Sequence, residues 1–407
     1  MRILHVINAL AVKEGGPPVV CAGLAEAQAR AGHAVAVAAV HTGGPGVALD
    51  PVVERREFAP SGSLRYLRSS ALDAFLRATV PTMDMVHVHT IWQYPPFAAS
   101  RACRAAGVPY VLMSHGMLDA WAVTNRSVAV KRLYWLWRGG ALAGHAAALH
   151  CLNDEEVARV VPWVRKAPKF VVPNGVAARD LEALPPRGRF RARHEAIGGR
   201  PLVLFLSRLH PKKGLDRLLP AWPQVLARAP ECRLAIAGSG SPEYEARVDH
   251  LIASSGLQSS VLRVGQLAGA AKYEALVDAD VFVLPSHQEG FSMAITEALG
   301  VGCAAVVTDA CHFDEVASCD AGAVIAGDDM NAFTDAVVGL LSDEARRRRC
   351  GANGRALVLR KYTWESVAQQ LDQVYAWICA GKRLPADGQD VWRSAAGVTV
   401  AGPGTPG

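Results

Sequence analysis

Two series of short apolar segments alternate with helical patterns along this 407-residue chain, and they constrain its fold more than any other feature. The first series consists of strand candidates at residues 2–8, 33–40, 85–90, 110–114, 147–151 and 169–173. The second consists of strand candidates at residues 202–207, 233–238, 261–265, 281–285, 304–308 and 322–326. Continuously apolar strands joined by helices are typical of parallel sheets covered on both faces. The sequence therefore predicts an α/β protein with two doubly wound, Rossmann-like domains.

A polar stretch rich in proline and arginine separates the two series. It predicts an N-terminal domain over 1–176, a linker and domain entry over 177–200, and a C-terminal domain over 201–362. A helix over 363–382 is expected to pack back toward the N-terminal domain, and the tail at 383–407 is expected to be disordered. Because parallel sheets bind ligands at the carboxyl ends of their strands, we expect the two domains to face a cleft that holds the active site.

Charge and cysteine content limit the class of protein. The formal net charge of +6 suits an anionic ligand or membrane surface, and no basic-aromatic RNA signature is present, so no nucleic-acid partner is expected. The nine cysteines form no CxxC pair and no zinc-type spacing, which favours a reducing, cytoplasmic compartment. The N-terminal segment is interpreted as a buried strand rather than a signal peptide, because His5 and Asn8 interrupt its apolar run.

Two loops after predicted strands have features of anion binding. In SRLHPKKG, Arg208 and Lys213 follow the first strand of the second domain, at the sheet end where phosphates bind. A guanidinium fork and a lysine ammonium suit a diphosphate. In the first domain, Gly15 and Gly16 precede a helical pattern, where glycine lets the backbone approach an anion. An ordinary strand-to-helix turn is the simpler interpretation of the two glycines taken alone.

The stretch SHQEGFSMAITEALG contains two glutamates, Glu289 and Glu297. Paired carboxylates can act as the acid and base of glycoside hydrolysis. A helix that begins near Ser292, however, carries Glu297 and leaves Glu289 in the loop before Gly290. The two carboxylates would then not share a helical face, and we expect them to bind opposite ends of one ligand as hydrogen-bond acceptors.

Histidines and a pair of aspartates are weaker candidates. His115 follows the fourth predicted strand at its carboxyl end, so structural and functional roles are both open. His87 and His89 alternate along another strand and therefore share a face, either in the core or lining the cleft. Asp278 and Asp280 mimic a DxD metal motif but precede a strand, away from its carboxyl end, so they are expected to form a turn and to bind no metal.

A segment from Ala120 to Asn153 lacks acidic residues. Its basic and aromatic side chains include Arg126, Lys131, Arg132, Tyr134, Trp135, Trp137 and Arg138. Such a segment could lie on an anionic membrane or meet an anionic lipid-linked acceptor. Alternatively, its aromatic side chains pack into the first domain, and the sequence leaves both interpretations open.

Taken together, these motifs resemble those of the GT-B glycosyltransferases, in particular the retaining family four. SRLHPKKG, PNGV at 173–176, AGSGSPE and SHQEGFSMAITEALG stand in the family's order and spacing, and the last is similar to its E-x7-E signature. HGMLDAW and IWQYPP resemble the bacterial subgroup that builds exopolysaccharide and lipopolysaccharide. The resemblance implies transfer from a nucleotide sugar to a saccharide or lipid-linked acceptor, in the cytoplasm or at the cytoplasmic face of the inner membrane.

The resemblance also implies roles for individual residues. Arg208 and Lys213 would bind the donor diphosphate and stabilise the leaving group, Glu289 would orient the sugar hydroxyls, and Glu297 would hold the ribose. His115 would complete the catalytic set. The remaining donor contacts would come from Gly15, Gly16, Gly290, Phe291 and Ser292, the last of which replaces a glycine common in the family. No metal or other cofactor is expected, because cations and helix dipoles can neutralise the departing charge.

Three other functions fit the same fold. A sugar-nucleotide epimerase would need no acceptor. A phosphorylase would need a lysine-bound pyridoxal phosphate, for which the sequence has no motif. A non-catalytic sugar-binding protein would be expected to lose the charged set, yet Arg208, Lys213, Glu289 and Glu297 are all present.

Overall fold

The structure, a computed structural model, describes residues 1–118, 128–164, 167–381 and 392–393. The chain divides into two compact units. The first unit comprises Met1–Gly175 and Trp364–Gly407, and the second comprises Val176–Thr363. Each unit contains one parallel sheet flanked by helices, which confirms the predicted α/β class with two Rossmann-like sheets.

Strands are numbered along the chain. Those of the first unit are β1 (Arg2–Val6), β2 (Ala34–Val40), β3 (Glu54–Phe58), β4 (Met85–His89), β5 (Tyr110–Met113), β6 (Ala148–Cys151) and β7 (Lys169–Val171). Those of the second unit are β8 (Leu202–Leu206), β9 (Arg233–Ala237), β10 (Val261–Gly265), β11 (Val281–Leu284), β12 (Ala304–Thr308) and β13 (Gly322–Ile325). A final strand, β14 (Trp392–Arg393), pairs with β7. The sheet orders are β14-β7-β6-β5-β4-β1-β2-β3 and β10-β9-β8-β11-β12-β13.

Helices join the strands in both units. The first unit contains α1 (Gly16–Arg30), α2 (Ser70–Thr79), α3 (Tyr94–Ala106), α4 (Val128–Tyr134), α5 (Gly140–Gly144) and α6 (Asp154–Val160). The second contains α7 (Ala178–Glu182), α8 (Arg189–Arg193), α9 (Leu215–Arg228), α10 (Pro242–Ser254), α11 (Gly269–Asp278), α12 (Met293–Gly300), α13 (Glu315–Ser318), α14 (Met330–Ser342) and α15 (Glu344–Lys361). The chain then returns to the first unit as α16 (Trp364–Cys379).

The last helix completes the core of the first unit. The Trp364 ring lies so close to Gly23 of α1 that a side chain at position 23 would collide with it. At the other side of the contact, Asp372 Oδ2 lies 3.0 Å from Nε2 of His33. Tyr375 of the same helix is fully buried. The C-terminal helix is therefore an integral layer of the first unit.

Several boundaries differ in detail from those expected. Residues 177–200, expected to be a linker, contain α7 and α8 and lie in the second unit. Strand β3 was not predicted, because it is an edge strand whose sequence, ERREF, has exposed charged residues instead of an apolar run. The expected disordered tail at 383–407 lies outside the described residues, apart from the short strand β14.

Candidate active site

The candidate site of the second unit lies at the carboxyl ends of its strands. Arg208 follows β8 and is exposed, and Lys213 ends a short 3-10 turn before α9. Gly214 has a φ of +78°, and a Cβ there would overlap the carbonyl oxygen of Pro285, just after β11. Only glycine fits this approach without distortion. The loop that carries Lys213 is therefore held against the end of the neighbouring strand.

This approach brings Lys213 into an ion pair with Glu289. The lysine Nζ donates to Glu289 Oε1, which also accepts a 2.9 Å hydrogen bond from the Ser286 hydroxyl. The Glu289 amide donates to the Ala310 carbonyl at 3.0 Å. The side chains of Glu289 and Lys213 are only 6% and 16% exposed, so water screens the pair weakly. The structure thus joins two of the predicted catalytic residues directly.

Glu297 has a different cationic partner. Lys272 Nζ lies 2.6 Å from Glu297 Oε1 and 4.9 Å from the centre of the Tyr273 ring. The Tyr273 hydroxyl donates to Asp180 at 3.3 Å. Burial raises the pKa of the Glu297 carboxyl above its ordinary value, and Lys272 opposes this shift. Sequence reasoning missed Lys272, because an isolated lysine on a helix carries no motif.

The segment between the two glutamates forms the start of α12. Ser292 is the N-cap of this helix, and its hydroxyl accepts a 3.4 Å hydrogen bond from the Ile295 amide. The serine that replaces the family's glycine therefore stabilises the helix terminus. Phe291 packs beside the Phe313 ring, with 5.8 Å between centroids. The space where a Gly290 side chain would be is open, with no atom within 4 Å.

A cavity of about 480 Å³ adjoins Arg208. Loops after β8, β9 and β10 line it, and these include Gly238, Gly240 and Gln266. A Cβ at Gly238 would overlap the carbonyl oxygen of Ser207, so the two loops meet through their backbones. The turn AGSGSPE therefore closes one wall of the cavity, at the sheet end where α/β proteins bind ligands.

The aspartates that mimic DxD have structural partners. Asp278 Oδ2 accepts from the Arg191 amide at 2.9 Å, and Asp278 Oδ1 accepts from the Gly188 amide. Asp280 Oδ2 accepts from the Arg191 guanidinium at 2.9 Å and from the Leu202 amide at 2.8 Å. Asp278 thus holds α8, and Asp280 joins α8 to the beginning of β8, as expected of a turn that leads into a strand.

In the first unit, the two glycines form the junction between β1 and α1. Gly15 has a φ of +82° and is the N-cap of α1, and Gly16 is the first residue of the helix. No atom lies within 4 Å of the position of a Cβ at either glycine. The backbone at this helix N-terminus is therefore open to a ligand.

His115 lies in a strained turn after β5, with a φ of +52°. The Ser114 hydroxyl and the Gly116 amide, on either side of it, donate to Glu156 Oε1 at 2.9 and 3.1 Å. The other oxygen, Oε2, accepts from the Leu152 amide at 2.8 Å. Glu156 is 4% exposed and thus fixes the His115 turn from within the core. The sequence signal for Glu156 is its place three residues after the helix N-cap Asn153.

His115 also contacts a group of buried histidines. His115 Nε2 lies 3.0 Å from His89 Nδ1, and His89 Nε2 lies 3.0 Å from His5 Nδ1. His87 stacks on His89 with 4.4 Å between ring centroids. Burial lowers the pKa of His115 to about 3 and that of His5 to about 4, so both rings are neutral near pH 7. His87 and His89 share a face, as predicted, and that face lies in the core.

The basic aromatic segment divides into a packed part and an exposed part. Tyr134 donates to the Ile91 carbonyl at 2.8 Å, and Trp135 packs edge-on against Trp163. By contrast, Leu136 and Trp137 in the π-helical turn Trp135–Gly139 are 80% and 75% exposed. Arg126 lies outside the described residues. Each of the two interpretations of this segment thus describes some of its side chains.

Comparison with known proteins defines the class. Residues 186–357 match the family described as glycosyl transferases group 1, and residues 15–175 match the glycosyl transferase 4-like domain. Together the two matches span most of the chain. The chain belongs to the group 1 glycosyltransferases, with a family-four-like first domain.

Individual relatives agree with this family. A phosphatidyl-myo-inositol mannosyltransferase of Mycolicibacterium smegmatis is 28% identical over 90% of this chain and 91% of its own length. The lipopolysaccharide core biosynthesis mannosyltransferase LpsB of Rhizobium meliloti is 28% identical over 72% of this chain and 83% of its own length. Another mannosyltransferase relative is matched over only 55% of its length. The chain is thus similar to enzymes that transfer sugars.

The fold has close counterparts among solved structures. Anabaena HepE, solved in complex with UDP, aligns with a TM-score of 0.71 and 17% identity, over 92% of this chain and all of that chain. At this identity the likeness shows the fold alone. Among the described residues, no helix is both long and apolar enough to cross a membrane.

Proposed function

We propose that this chain is a retaining, metal-independent glycosyltransferase that transfers a sugar, with mannose the first choice, from a nucleoside-diphosphate sugar to a saccharide or lipid-linked acceptor. The observation that carries the proposal is the weakly screened ion pair of Lys213 and Glu289 at the carboxyl end of the second sheet. The names of the mannosyltransferase relatives support the choice of sugar.

Donor binding would use this pair and the neighbouring cavity. The 480 Å³ cavity beside Arg208 has room for a nucleoside, and Arg208 and Lys213 would bind the diphosphate. When the diphosphate binds the Lys213 ammonium, Glu289 would leave the ion pair and accept hydrogen bonds from the hydroxyls of the transferred sugar. Glu297 would accept hydrogen bonds from the ribose. The cations then stabilise the charge that develops on the departing diphosphate, and this lowers the barrier to transfer.

Retention and metal independence are further parts of the proposal. Retention is supported by the resemblance of the motifs to those of the retaining family four. Metal independence is supported by the structural engagement of Asp278 and Asp280 and by the cationic side chains at the diphosphate end. The charge of a leaving diphosphate needs a counter-charge, and Arg208 with Lys213 supplies one.

The acceptor is proposed to be reached at an anionic membrane surface, on its cytoplasmic side, in the synthesis of bacterial surface glycolipid or polysaccharide. The support is the exposed pair Leu136 and Trp137, which follows the cations Lys131 and Arg132 in the sequence. Apolar side chains that stand in solvent beside basic residues favour insertion between anionic headgroups. One relative is named a phosphatidyl-myo-inositol mannosyltransferase, and a lipid acceptor of that kind would lie at such a surface.

Transfer from defined donors tests the function. The protein is incubated with GDP-mannose or UDP-glucose, with and without phosphatidylinositol vesicles or a lipopolysaccharide acceptor, and in the presence and absence of EDTA. Acceptor-dependent, EDTA-resistant formation of an α-linked product, read by mass spectrometry and NMR, is the expected result. Conversion of the nucleotide sugar without an acceptor would instead indicate an epimerase, and no turnover with any donor would contradict the proposal.

A further inference from the structure

Hydrogen-bonding groups in the core of the first unit form a chain in two halves, and the second half ends at His115. The first half begins at the backbone carbonyl of Val172, which lies 2.8 Å from His150 Nε2. His150 Nδ1 lies 3.4 Å from His87 Nε2, and His87 Nδ1 lies 2.7 Å from the Tyr375 hydroxyl. Burial lowers the pKa of His150 to about 4 and that of His87 well below its ordinary value. These rings are therefore neutral, with one N–H and one lone pair each.

The carbonyl of Val172 fixes the direction of this half of the chain. A carbonyl can only accept, so His150 carries its proton on Nε2 and accepts at Nδ1. His87 must then donate from Nε2, which leaves its Nδ1 as an acceptor. The Tyr375 hydroxyl therefore donates to His87, and it can only accept from its other neighbours.

The other half of the chain runs from Gln28 to His115. No hydrogen bond of Gln28 Nε2 joins it to Tyr375, so its direction is set at the Gln28 carbonyl oxygen. This oxygen lies 2.8 Å from His5 Nε2 and accepts from it. His5 thus donates from Nε2 and accepts from His89 Nε2, and His89 Nδ1 in turn accepts from His115 Nε2.

We propose that this buried chain holds His115 as the neutral Nε2–H tautomer, with the Nδ1 lone pair as its only acceptor for a ligand. Among the described residues, no group donates to His115 Nδ1. On the proposed function, His115 would accept a hydrogen bond from a sugar hydroxyl at Nδ1, because a lone pair there repels phosphate oxygens. His89, His5 and Gln28 are positioning residues, because they act through His115.

A metal site is the competing explanation for this cluster. The ring nitrogens of His5, His87 and His89 include a set within 4.8 Å of one another. The rings, however, are stacked, with interplanar angles of 17° to 29°. Near-parallel rings cannot direct three lone pairs at one point, as a tetrahedral ion requires. All six of their nitrogens already lie within hydrogen-bonding distance of a protein partner.

Ring-nitrogen NMR tests the inference without any substrate. In histidine labelled with ¹⁵N, long-range ¹H–¹⁵N correlations show which ring nitrogen carries the proton. At pH 7 we expect the Nε2–H pattern for His115 in the wild-type protein. A His115 ring that is protonated on Nδ1, or on both nitrogens, would overturn the inference, and so would one zinc ion bound per chain in the purified protein.

Two variants test the transmission along the chain. Gln28→Leu removes the acceptor at His5 Nε2, and Gln28→Met removes it with a side chain of similar length if the first variant fails to fold. Both are expected to give His115 a mixture of tautomers and to lower kcat about tenfold, with a smaller change in donor KM. Gln370→Leu is the matched control, because this buried glutamine of the same unit donates to the Ser366 carbonyl, outside the chain.

The outcomes separate the inference from the proposed function. An unchanged His115 pattern in both Gln28→Leu and Gln28→Met would overturn the relay, whatever the protein transfers. The expected tautomer in a protein that transfers no sugar would leave the relay standing and would contradict the function. Altered tautomers in Gln370→Leu as well would overturn a specific path and indicate general loosening of the core.

Discussion

Lys213 and Glu289 are 76 positions apart in the sequence, and they form an ion pair at the carboxyl end of the second sheet. Each neutralises the other in the absence of ligand, which lowers the cost of keeping both charges out of water. A diphosphate can compete for the lysine because it carries more negative charge than one carboxylate. On the proposed function, the pair would therefore open when a donor binds.

Replacing Lys213 tests the role of this cation. Lys213→Ala is expected to lower kcat/KM about 100-fold or more, because one cation fewer faces the departing charge. It should also destabilise the fold, since Glu289 keeps a buried charge without this partner. Steady-state transfer and thermal denaturation measure the two effects. Lys212→Ala, the same change at the adjacent lysine, is the control, and equal losses in both variants would contradict the assignment.

Glu297 offers a prediction on pH and stability. Because burial raises its pKa above 4.5 in the folded protein, its contribution to stability falls as the pH rises from about 4.5 through the higher folded-state pKa. Glu297→Gln is expected to leave Tm at pH 7 unchanged or raised, and to weaken nucleotide binding. Denaturation at pH 4.5 and 7 and calorimetric titration with nucleotide measure this.

Glu315 provides a control of opposite sign. Burial tends to raise its pKa, but Lys361 and the Tyr362 hydroxyl outweigh burial, so the pKa is lowered. This stabilisation is present above the ordinary pKa of 4.5 and is lost as the pH falls through the lowered value. Glu315→Gln should therefore lower Tm at pH 7. A fall in Tm of similar size in the Glu297 variant would show that its carboxylate stabilises the fold.

The turn that carries His115 depends on Glu156. Glu156→Gln keeps one acceptor oxygen and replaces the other with an amide NH2, which cannot accept a hydrogen bond from a backbone N–H. The free energy of unfolding should therefore fall by about 1–3 kcal/mol. The displaced imidazole should lower kcat more than it raises the donor KM. Glu155→Gln is the matched control, since that glutamate is 40% exposed and pairs with Arg159. Wild-type kcat in Glu156→Gln would show that the turn does not position His115.

Membrane contact is tested by polar substitution of the exposed leucine. Leu136→Ser is expected to weaken binding to vesicles of phosphatidylglycerol about tenfold, because burial of a leucine side chain contributes about 1.5–3 kcal/mol. Sedimentation with vesicles of neutral and anionic lipid provides the measurement. Leu359→Ser in the second unit is the control, since Leu359 is also exposed, at 42%. Equal binding by both variants and the wild-type protein would contradict membrane contact.

Much of the fold could be predicted because each buried parallel strand corresponds to a continuous apolar run in the sequence. Each apolar run of the second series coincides with a strand from β8 to β13. Strand β3 has no such apolar run, since its charged side chains face solvent at a sheet edge. The division of a chain by apolar runs therefore finds central strands and misses edges.

The candidate site could be predicted only in part. Motif spacing singled out Lys213 and Glu289 but not their direct contact, which depends on the order of β8 and β11 in the sheet. It found neither Lys272 nor Glu156, because each acts through a partner distant in sequence. Alternation placed His87 and His89 on one face, yet strand order and register bring His5 beside His87.

The return of α16 to the first unit has a consequence for biogenesis. During synthesis, residues 1–175 leave the ribosome well before Trp364 and Tyr375, with the whole second unit made in between. Until then Gly23 lacks the indole that covers it, and His87 lacks the phenol that donates to it. The nascent chain would thus hold strands β1 to β7 before the side chains of α16 cover Gly23 and reach His87.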